Sequence, residues 1–345
     1  MEATESPAPK VSVVMPCRNE AAWIEKCLAA VLAAEPPAGG LEIIVADGQS
    51  DDGTRKILEG LAQRDFRIRM IDNPGRIVPT GLNAAIRAAR GEIIIRLDAH
   101  TEYAPDYLRQ CTELIQTGTA DNVGGPWVAE GQGWLSEAIA AAFQSPFAVG
   151  GARGHDPDYE GPVDTVYLGC WKRAAFDRFG YFDEELVRNQ DDEYNLRLIR
   201  AGGKIWQSPK IKSRYHPRGS LSGLFRQYMQ YGYWKVRVIQ KHRLPASIRH
   251  LVPGLFLVYL LLTGVAGFFW PLLWVAFGLA LGAYGFAVLL ASGLTAARTR
   301  WKLLPALPLV FPCYHFGYGY GFLRGLVNFM ILKRRAQAGF QQLTR

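Results

Sequence analysis

Apolar residues follow two different rhythms along this chain. Up to about residue 240, short β-branched runs alternate with stretches of helical spacing. Val11 to Met15, Glu42 to Ala46 and Glu92 to Leu97 read as buried strands, and Glu20 to Ala34, Thr54 to Arg64 and Pro79 to Arg90 as helices. This succession predicts an α/β domain built on a mostly parallel sheet with helices on both faces, its chemistry gathered at the carboxyl ends of the strands. Farther on the pattern changes. Leu251 to Ala297 is 47 residues without one Asp, Glu, Lys or Arg. About 20 apolar residues suffice to cross a bilayer, so two transmembrane helices are expected, at 251–270 and 272–292, with a reversal near Phe269-Trp270-Pro271. A third uncharged run, 303–323, is broken by Pro305, Pro308 and Pro312 and carries His315 among Tyr and Gly residues.

Charge orients these segments. Basic residues precede the first pair (Lys235 to Arg249) and follow it (Arg298, Arg300, Lys302), which places both ends in the cytosol. Lys333-Arg334-Arg335 then lies on the same side only if the third run enters and returns or rests in the interface, the arrangement preferred here over a full span. The formal charge of +8 is modest, and its clusters (Lys204 to Arg249, Lys333 to Arg335) suit anionic lipid or phosphate better than a nucleic-acid groove. Five scattered cysteines with no Cys-x-x-Cys pair argue against a disulfide framework or a structural zinc. The expected organisation is a disordered N-terminus over 1–10 with no secretory signal, a cytosolic catalytic domain over 11–240, and a membrane-anchoring region over 241–345. The corresponding location is the inner (plasma) membrane, multi-pass.

Each strand of the first part ends in polar residues: Pro16-Cys17-Arg18-Asn19-Glu20, then Asp47 through Thr54, then Asp98-Ala99-His100. Taken singly, Asn19 or Asp52 is a plausible helix cap and Asp47-Gly48 an ordinary turn. Three such clusters at successive strand ends point to one site. A further acidic cluster, Gln190-Asp191-Asp192-Glu193, opens a helical run 93 residues beyond Asp98.

Together, the run Val11 to Glu20, the segment Asp47 to Thr54, Asp98-x-His100, Gly180-Tyr181-Phe182-Asp183-Glu184, and Asp191 with Arg197 and Gly202 resemble glycosyltransferase family 2. More narrowly, they resemble its membrane-anchored exopolysaccharide type, such as the succinoglycan glucosyltransferases. The resemblance covers about residues 10 to 240 and implies a nucleotide-sugar transferase A-type, Rossmann-like fold. It further implies that Pro16, Arg18, Glu20, Asp47 and Asp98 bind the donor, with Asp47 accepting from the uracil imide. An acceptor-only carboxylate selects an N–H that cytosine lacks. Where the family commonly has Asp-Asp-Gly-Ser, this chain has Asp47-Gly48-Gln49-Ser50.

Asp98-Ala99-His100 corresponds to the family's Asp-x-Asp metal element, His replacing the second carboxylate and moving preference from Mg2+ toward Mn2+. A metal-binding role for His216 is implied as well. Registered on Arg197 and Gly202, the family's Glu-Asp element falls on Gln190 and Asp191, making Asp191 the general base, with Asp192 the other candidate and Glu193 serving the first helical turn. Gly169, Cys170, Asp192, Arg218, Gln230 and Trp234 are implied on the acceptor or diphosphate side. Cys170 has no neighbouring His in sequence and is not read as a nucleophile. Gln227 to Lys235 resembles a weakened Gln-x-x-Arg-Trp element, and an amphipathic helix on the membrane surface explains it equally well.

The function so implied is inverting, metal-dependent transfer of one sugar, glucose by family similarity. The donor is a UDP-sugar and the acceptor a polyprenyl-diphosphate-linked glycan, with membrane and lipid-linked acceptor as partners and no nucleic acid. The alternatives are a polyprenyl-phosphate sugar synthase, a nucleotidyltransferase (whose Gly-rich phosphate loop is missing after the first strand) and a non-catalytic membrane scaffold.

Overall fold

The computed structural model of the chain describes residues 9–245 and 247–341. Residues 1–8, most of the stretch expected to be unstructured, lie outside the described residues. The chain divides into two compact units. One comprises the residues up to Val128 with Asp156–Tyr215, the other Ala129–His155 with His216–Arg345. The division falls at residue 215, ahead of the boundary near 240 drawn from composition.

In the first unit, eight strands form one sheet: β1 (Val11–Cys17), β2 (Leu41–Asp47), β3 (Ile68–Asp72), β4 (Ile93–Arg96), β6 (Asn122–Gly125), β7 (Gly161–Pro162), β8 (Tyr167–Lys172) and β9 (Ile205–Gln207). Their order is β3-β2-β1-β4-β8-β6-β9-β7, and β5 (Thr101–Tyr103) pairs separately with β10 (Ser213–Tyr215). The β3, β2, β1 and β4 ladders are parallel, as the βαβ rhythm requires. Antiparallel pairing enters with β8, which runs between β4 and β6, so the sheet is mixed.

Period-2 alternation decides which face each residue serves. Val11, Val13 and Met15 join α1 (Ile24–Ala33), α2 (Thr54–Arg64) and α4 (Tyr107–Gln116) in one core. Val14 and Ile44 join α3 (Val78–Ala88), α7 (Ala174–Phe179) and α8 (Gln190–Arg200) in the other. Edge strand β3 escapes the sequence reading because its five residues, Ile-Arg-Met-Ile-Asp, carry only one fully buried side chain. Register sets the site: Cys17 lies opposite Asp47, Asp47 opposite Asp72, and Val14 opposite Arg96, so the carboxyl ends of four strands lie along one edge.

The second unit is helical: α5 (Trp134–Phe143), α6 (Pro146–Val149), α9 (Leu221–His242), α10 (Val252–Ala266), α11 (Leu272–Arg298), α12 (Leu307–Gly325) and α13 (Ala338–Gln341). Of the described helices, only α11 is both long and apolar enough to cross a membrane. α10 has 15 residues, about 22 Å at 1.5 Å per residue, short of the ~30 Å hydrocarbon core. The first expected span, 251–270, is therefore a shorter helix, and the second, 272–292, falls within α11. The third run forms one helix, α12, with Pro312 inside it, and passes into a π-helical turn at Leu326–Ile331.

Glycines let α12 lie against α9 backbone to backbone. A Cβ on Gly321 stands 1.9 Å from the Met229 carbonyl oxygen, one on Gly325 2.7 Å from that of Tyr233, and one on Gly232 2.0 Å from that of Tyr318. With Gly317 they form a small-residue seam at four-residue spacing, the arrangement that brings apolar helices closest. Gly321→Leu is expected to force the helices apart at a cost of about 1–3 kcal/mol from overpacking, read as a lowered melting temperature in detergent.

Candidate active site

The loops after β1 and β2 are tied together side chain to backbone. The Asn19 amide N–H donates to Ser50 Oγ (2.9 Å), while Asn19 and Asp51 exchange reciprocal bonds of 2.9 and 3.1 Å. The Glu20 and Ala21 amides donate to Thr54 Oγ1 and Asp52 Oδ2. Asp52 also accepts from Thr54, so it braces the loops as well as the start of α2. Asn19 and Gln49 both sit in the left-handed region (φ 55° and 56°), and Gly48 packs under the Arg18 stem. Asp47, fully buried, accepts from Ser50 Oγ at 2.6 Å and from Arg55 Nη1 at 3.2 Å, and Arg55 also holds Asp72.

The next strand end carries the acidic element. Tyr103 Oη accepts from the Asp98 amide (2.7 Å) and donates to its carbonyl (2.9 Å), fixing the turn. Arg96, the last residue of β4, grips the Asp98 carboxylate at both oxygens, Nε to Oδ1 and Nη2 to Oδ2, each 3.2 Å. His100 Nδ1 lies 3.1 Å from Glu20 Oε1, and Glu20 is 3% exposed. That contact fixes the imidazole in the orientation a metal-ligating His takes, one ring nitrogen on a carboxylate and the other turned away from it. Negative charge is concentrated here: burial, then Asp98 and Glu20, push the neighbouring Cys27 thiol up to about 12.

α8 carries the other acidic cluster. Asn189 (φ 61°) precedes the helix, Gly202 (φ 82°) follows it, and the Gly203 N–H bonds back to the Leu198 carbonyl. Arg197 takes Glu193 in a fork (3.0 Å at each oxygen) and donates to the carbonyls of Phe179 and Tyr181, tying α8 to the turn at Gly180. This leaves Asp191 and Asp192 in the first turn, half-buried. Burial and the Asp192 charge raise the Asp191 pKa above the ordinary carboxylate value, while Arg96 and backbone N–H groups act the other way. Arg96 stays charged because Asp98 and Asp191 outweigh its own burial. One guanidinium therefore connects the two acidic elements that lie 93 residues apart in sequence.

A 32% identical stretch of 255 residues aligns this chain with the succinoglycan biosynthesis protein ExoA of Rhizobium meliloti (strain 1021), covering 73% of this chain and 77% of that one. The family model for glycosyl transferase family 2 matches residues 12–165. The chain belongs to glycosyl transferase family 2. A second relative, 27% identical over 92% of this chain and 97% of its own, is the dolichyl N-acetyl-alpha-D-glucosaminyl phosphate 3-beta-D-2,3-diacetamido-2,3-dideoxy-beta-D-glucuronosyltransferase of Methanococcus voltae. The fold is shared with a solved mannosyltransferase of Pyrobaculum calidifontis (TM-score 0.58, 19% identity), covering 90% of this chain and 87% of that one. The chain is accordingly a glycosyltransferase.

Within this family 2 enzyme the expected site residues divide. The first unit holds Pro16, Arg18, Glu20, Asp47, Asp98, His100, Gly169, Cys170, Asp191 and Asp192. His216, Arg218, Gln230 and Trp234 belong to the second. Two side chains expected at the acceptor are enclosed instead. Cys170 is 0% exposed on the α4 face of β8, and Trp234 is 1% exposed, its Nε1 donating to the Phe340 carbonyl. Gly169 has a backbone reason for being glycine: φ is +109°, and a Cβ there meets the Trp171 ring at 2.5 Å. His216 Nδ1 lies 3.1 Å from the Glu130 carbonyl oxygen. Gln230 is buried. The aromatic residues of α9 serve packing, with Tyr228 on Tyr314 (4.4 Å) and Tyr233 stacked on Phe340 (3.9 Å), so the surface-helix explanation does not account for them.

Sequence reasoning passed over Arg96 and an aromatic group beside His100. Trp127 and Tyr167 stack at 5.1 Å, and Tyr215 stands edge-on to Trp127 and 6.4 Å from the His100 ring. Tyr167 also shares a 2.7 Å hydrogen bond with Thr101. Arg96 had a signal, a cation interrupting an apolar strand two residues before Asp98. The aromatic residues had none, since they come from three separate elements.

Proposed function

We propose that the enzyme transfers a single sugar, glucose by family similarity, from a UDP-sugar to a polyprenyl-diphosphate-linked acceptor with inversion, Asp191 acting as base. The observation that carries this reading is the Asp98–Arg96 fork with Asp191 in its field. The half-buried carboxylate with a raised pKa opens a helix, a stone's throw in charge terms from the strand-end acidic element. In this scheme Asp191 takes the acceptor hydroxyl proton as that oxygen attacks the anomeric carbon. The bond from that carbon to the diphosphate oxygen breaks on the opposite face, and the nucleoside diphosphate leaves with the electron pair.

Asp98 and His100 fit a divalent cation by donor chemistry, one carboxylate and one imidazole already oriented by Glu20. Among the described residues no three His, Cys, Asp or Glu side chains form a ready-made cage, so Asp98 and His100 would hold the cation with ligands from outside the protein. When bound there, Mn2+ or Mg2+ would supply positive charge against that developing on the leaving diphosphate. The Pyrobaculum mannosyltransferase, solved with GDP-Man and Mn2+, supports a metal and a nucleotide-sugar donor by analogy of fold. Asp47 is offered for the base once Ser50 and Arg55 have positioned it. The Methanococcus relative, named for a lipid-phosphate-linked sugar acceptor, favours glycoside formation on a lipid-linked sugar over phosphodiester formation on a bare lipid phosphate. The apolar, exposed surface of α11 and α10 suits an anchor at the inner membrane, with the catalytic unit cytoplasmic.

The test is donor screening with purified protein and Mn2+, scoring transfer of each UDP-sugar to a polyprenyl-diphosphate sugar. Transfer from none of them, with Mn2+ or Mg2+, overturns the reading. Glu20→Gln, which weakens the grip on His100, is expected to lower Mn2+ affinity about 10–100-fold, measured by the disappearance of the free-ion paramagnetic resonance signal.

A further inference from the structure

Arg96 is used only in part by the contacts around it. It is 5% exposed at the end of β4, and its Nε and Nη2 are spent on Asp98. Nη1 is buried with no hydrogen-bond partner among the described residues. A guanidinium has five N–H donors in a rigid fork and is never neutral, so a buried, unpaired nitrogen is a costly arrangement that a bound acceptor relieves. The acceptor is not Asp191, whose charge Arg96 feels without a hydrogen bond between them. The neighbourhood otherwise carries Asp98, Glu20, Asp191 and Asp192, so an anion entering it needs positive charge to meet.

Resting on the reading of this site as the donor site, we propose that Arg96 is a diphosphate ligand in its own right: Nη1 donates to a phosphate oxygen of the nucleotide-sugar while Nε and Nη2 keep hold of Asp98. Planar guanidinium geometry suits this double task, bridging a carboxylate and a phosphate with separate edges. The same fork has an opposite effect on the cation. It occupies both Asp98 oxygens and neutralises their charge, so Arg96 competes with a divalent ion for Asp98. Removing Arg96 therefore weakens binding of the diphosphate and strengthens binding of the metal. A residue acting only as structural support gives no such opposed pair, since its loss weakens both.

The experiment uses the full chain in detergent and calorimetric titration with UDP and GDP, with uridine and guanosine as phosphate-free references, in EDTA and in Mn2+. Mn2+ is also titrated alone. Wild type is expected to prefer diphosphate over nucleoside even in EDTA. Arg96→Gln is expected to reduce that preference about 10–100-fold, the worth of a charge-assisted hydrogen bond, with nucleoside affinity unchanged and Mn2+ affinity raised. Arg96→Lys keeps the charge in a similar volume and recovers part of the preference; it carries the test if Arg96→Gln does not fold. The proposal is overturned if Arg96→Gln keeps the full preference, or if diphosphate, nucleoside and Mn2+ binding fall together. It is also overturned, with the donor site intact, if wild type prefers diphosphate only when Mn2+ is present. If wild type binds neither diphosphate under any condition, the donor-site reading itself is what fails.

Discussion

Asp191→Asn is expected to lower turnover about 10²–10⁴-fold, the usual worth of a positioned general base, while leaving donor binding in place. The amide keeps the shape and the position in the first turn of α8 but has no lone pair basic enough to take the acceptor proton. Donor affinity separates this from general damage, because among the described residues Asp191 hydrogen-bonds within its own helix, to the Asp192 amide at 3.0 Å. The pH profile supplies a second check. Burial and Asp192 raise the Asp191 pKa above its ordinary value, and the reaction needs the ionised form. kcat/KM should therefore fall as pH drops through that raised value, with an acid limb above the ordinary carboxylate range. Asp192→Asn removes the like charge and should shift the limb to lower pH; an unmoved limb removes Asp191 from the role of base.

Arg197→Ala is expected to destabilise the first unit strongly. It strips Glu193, a carboxylate whose side chain is 6% exposed, of its fork and leaves the Phe179 and Tyr181 carbonyls without their donor. Breaking a buried pair by removing one partner costs about 3–5 kcal/mol. At roughly 2–4 °C per kcal/mol for a unit of this size, the melting temperature should fall by at least about 6–12 °C. Arg197→Lys should recover only part, since a single ammonium cannot span a carboxylate and two carbonyls in one plane. A melting temperature within about 2 °C of wild type would sink the idea that this side chain anchors α8.

Both predictions rest on α8, and α8 was legible in the sequence because local rules and chemistry coincide there. The acidic first turn, Arg197 four residues after Glu193, and the glycine at 202 each have a local physical reason. Strands β1, β2 and β4 were legible for a similar reason, being buried on both faces and so apolar almost throughout, whereas edge strand β3 was not. The reading failed where the deciding partner is distant. Nothing within β8 says that it runs antiparallel between β4 and β6, because direction is set by the connections around it. Cys170 and Trp234 sit near residues of chemical interest in sequence, yet alternation and helix packing turn them into cores. Arg96 was overlooked because a charge in an apolar strand invites explanation as an edge, whereas here it closes a network across the sheet end. The span of α10 was overestimated since composition counts apolar residues without regard to where the helix starts and stops.

The glycine seam between α9 and α12 has a mechanical consequence. With main chain touching main chain at Gly232, Gly321 and Gly325, there is no layer of side chains to slide or re-pack between the two rods. They travel as one girder, the position of α9 being dictated by its partner helix. A single methyl group added at position 321 is enough to pry the pair open.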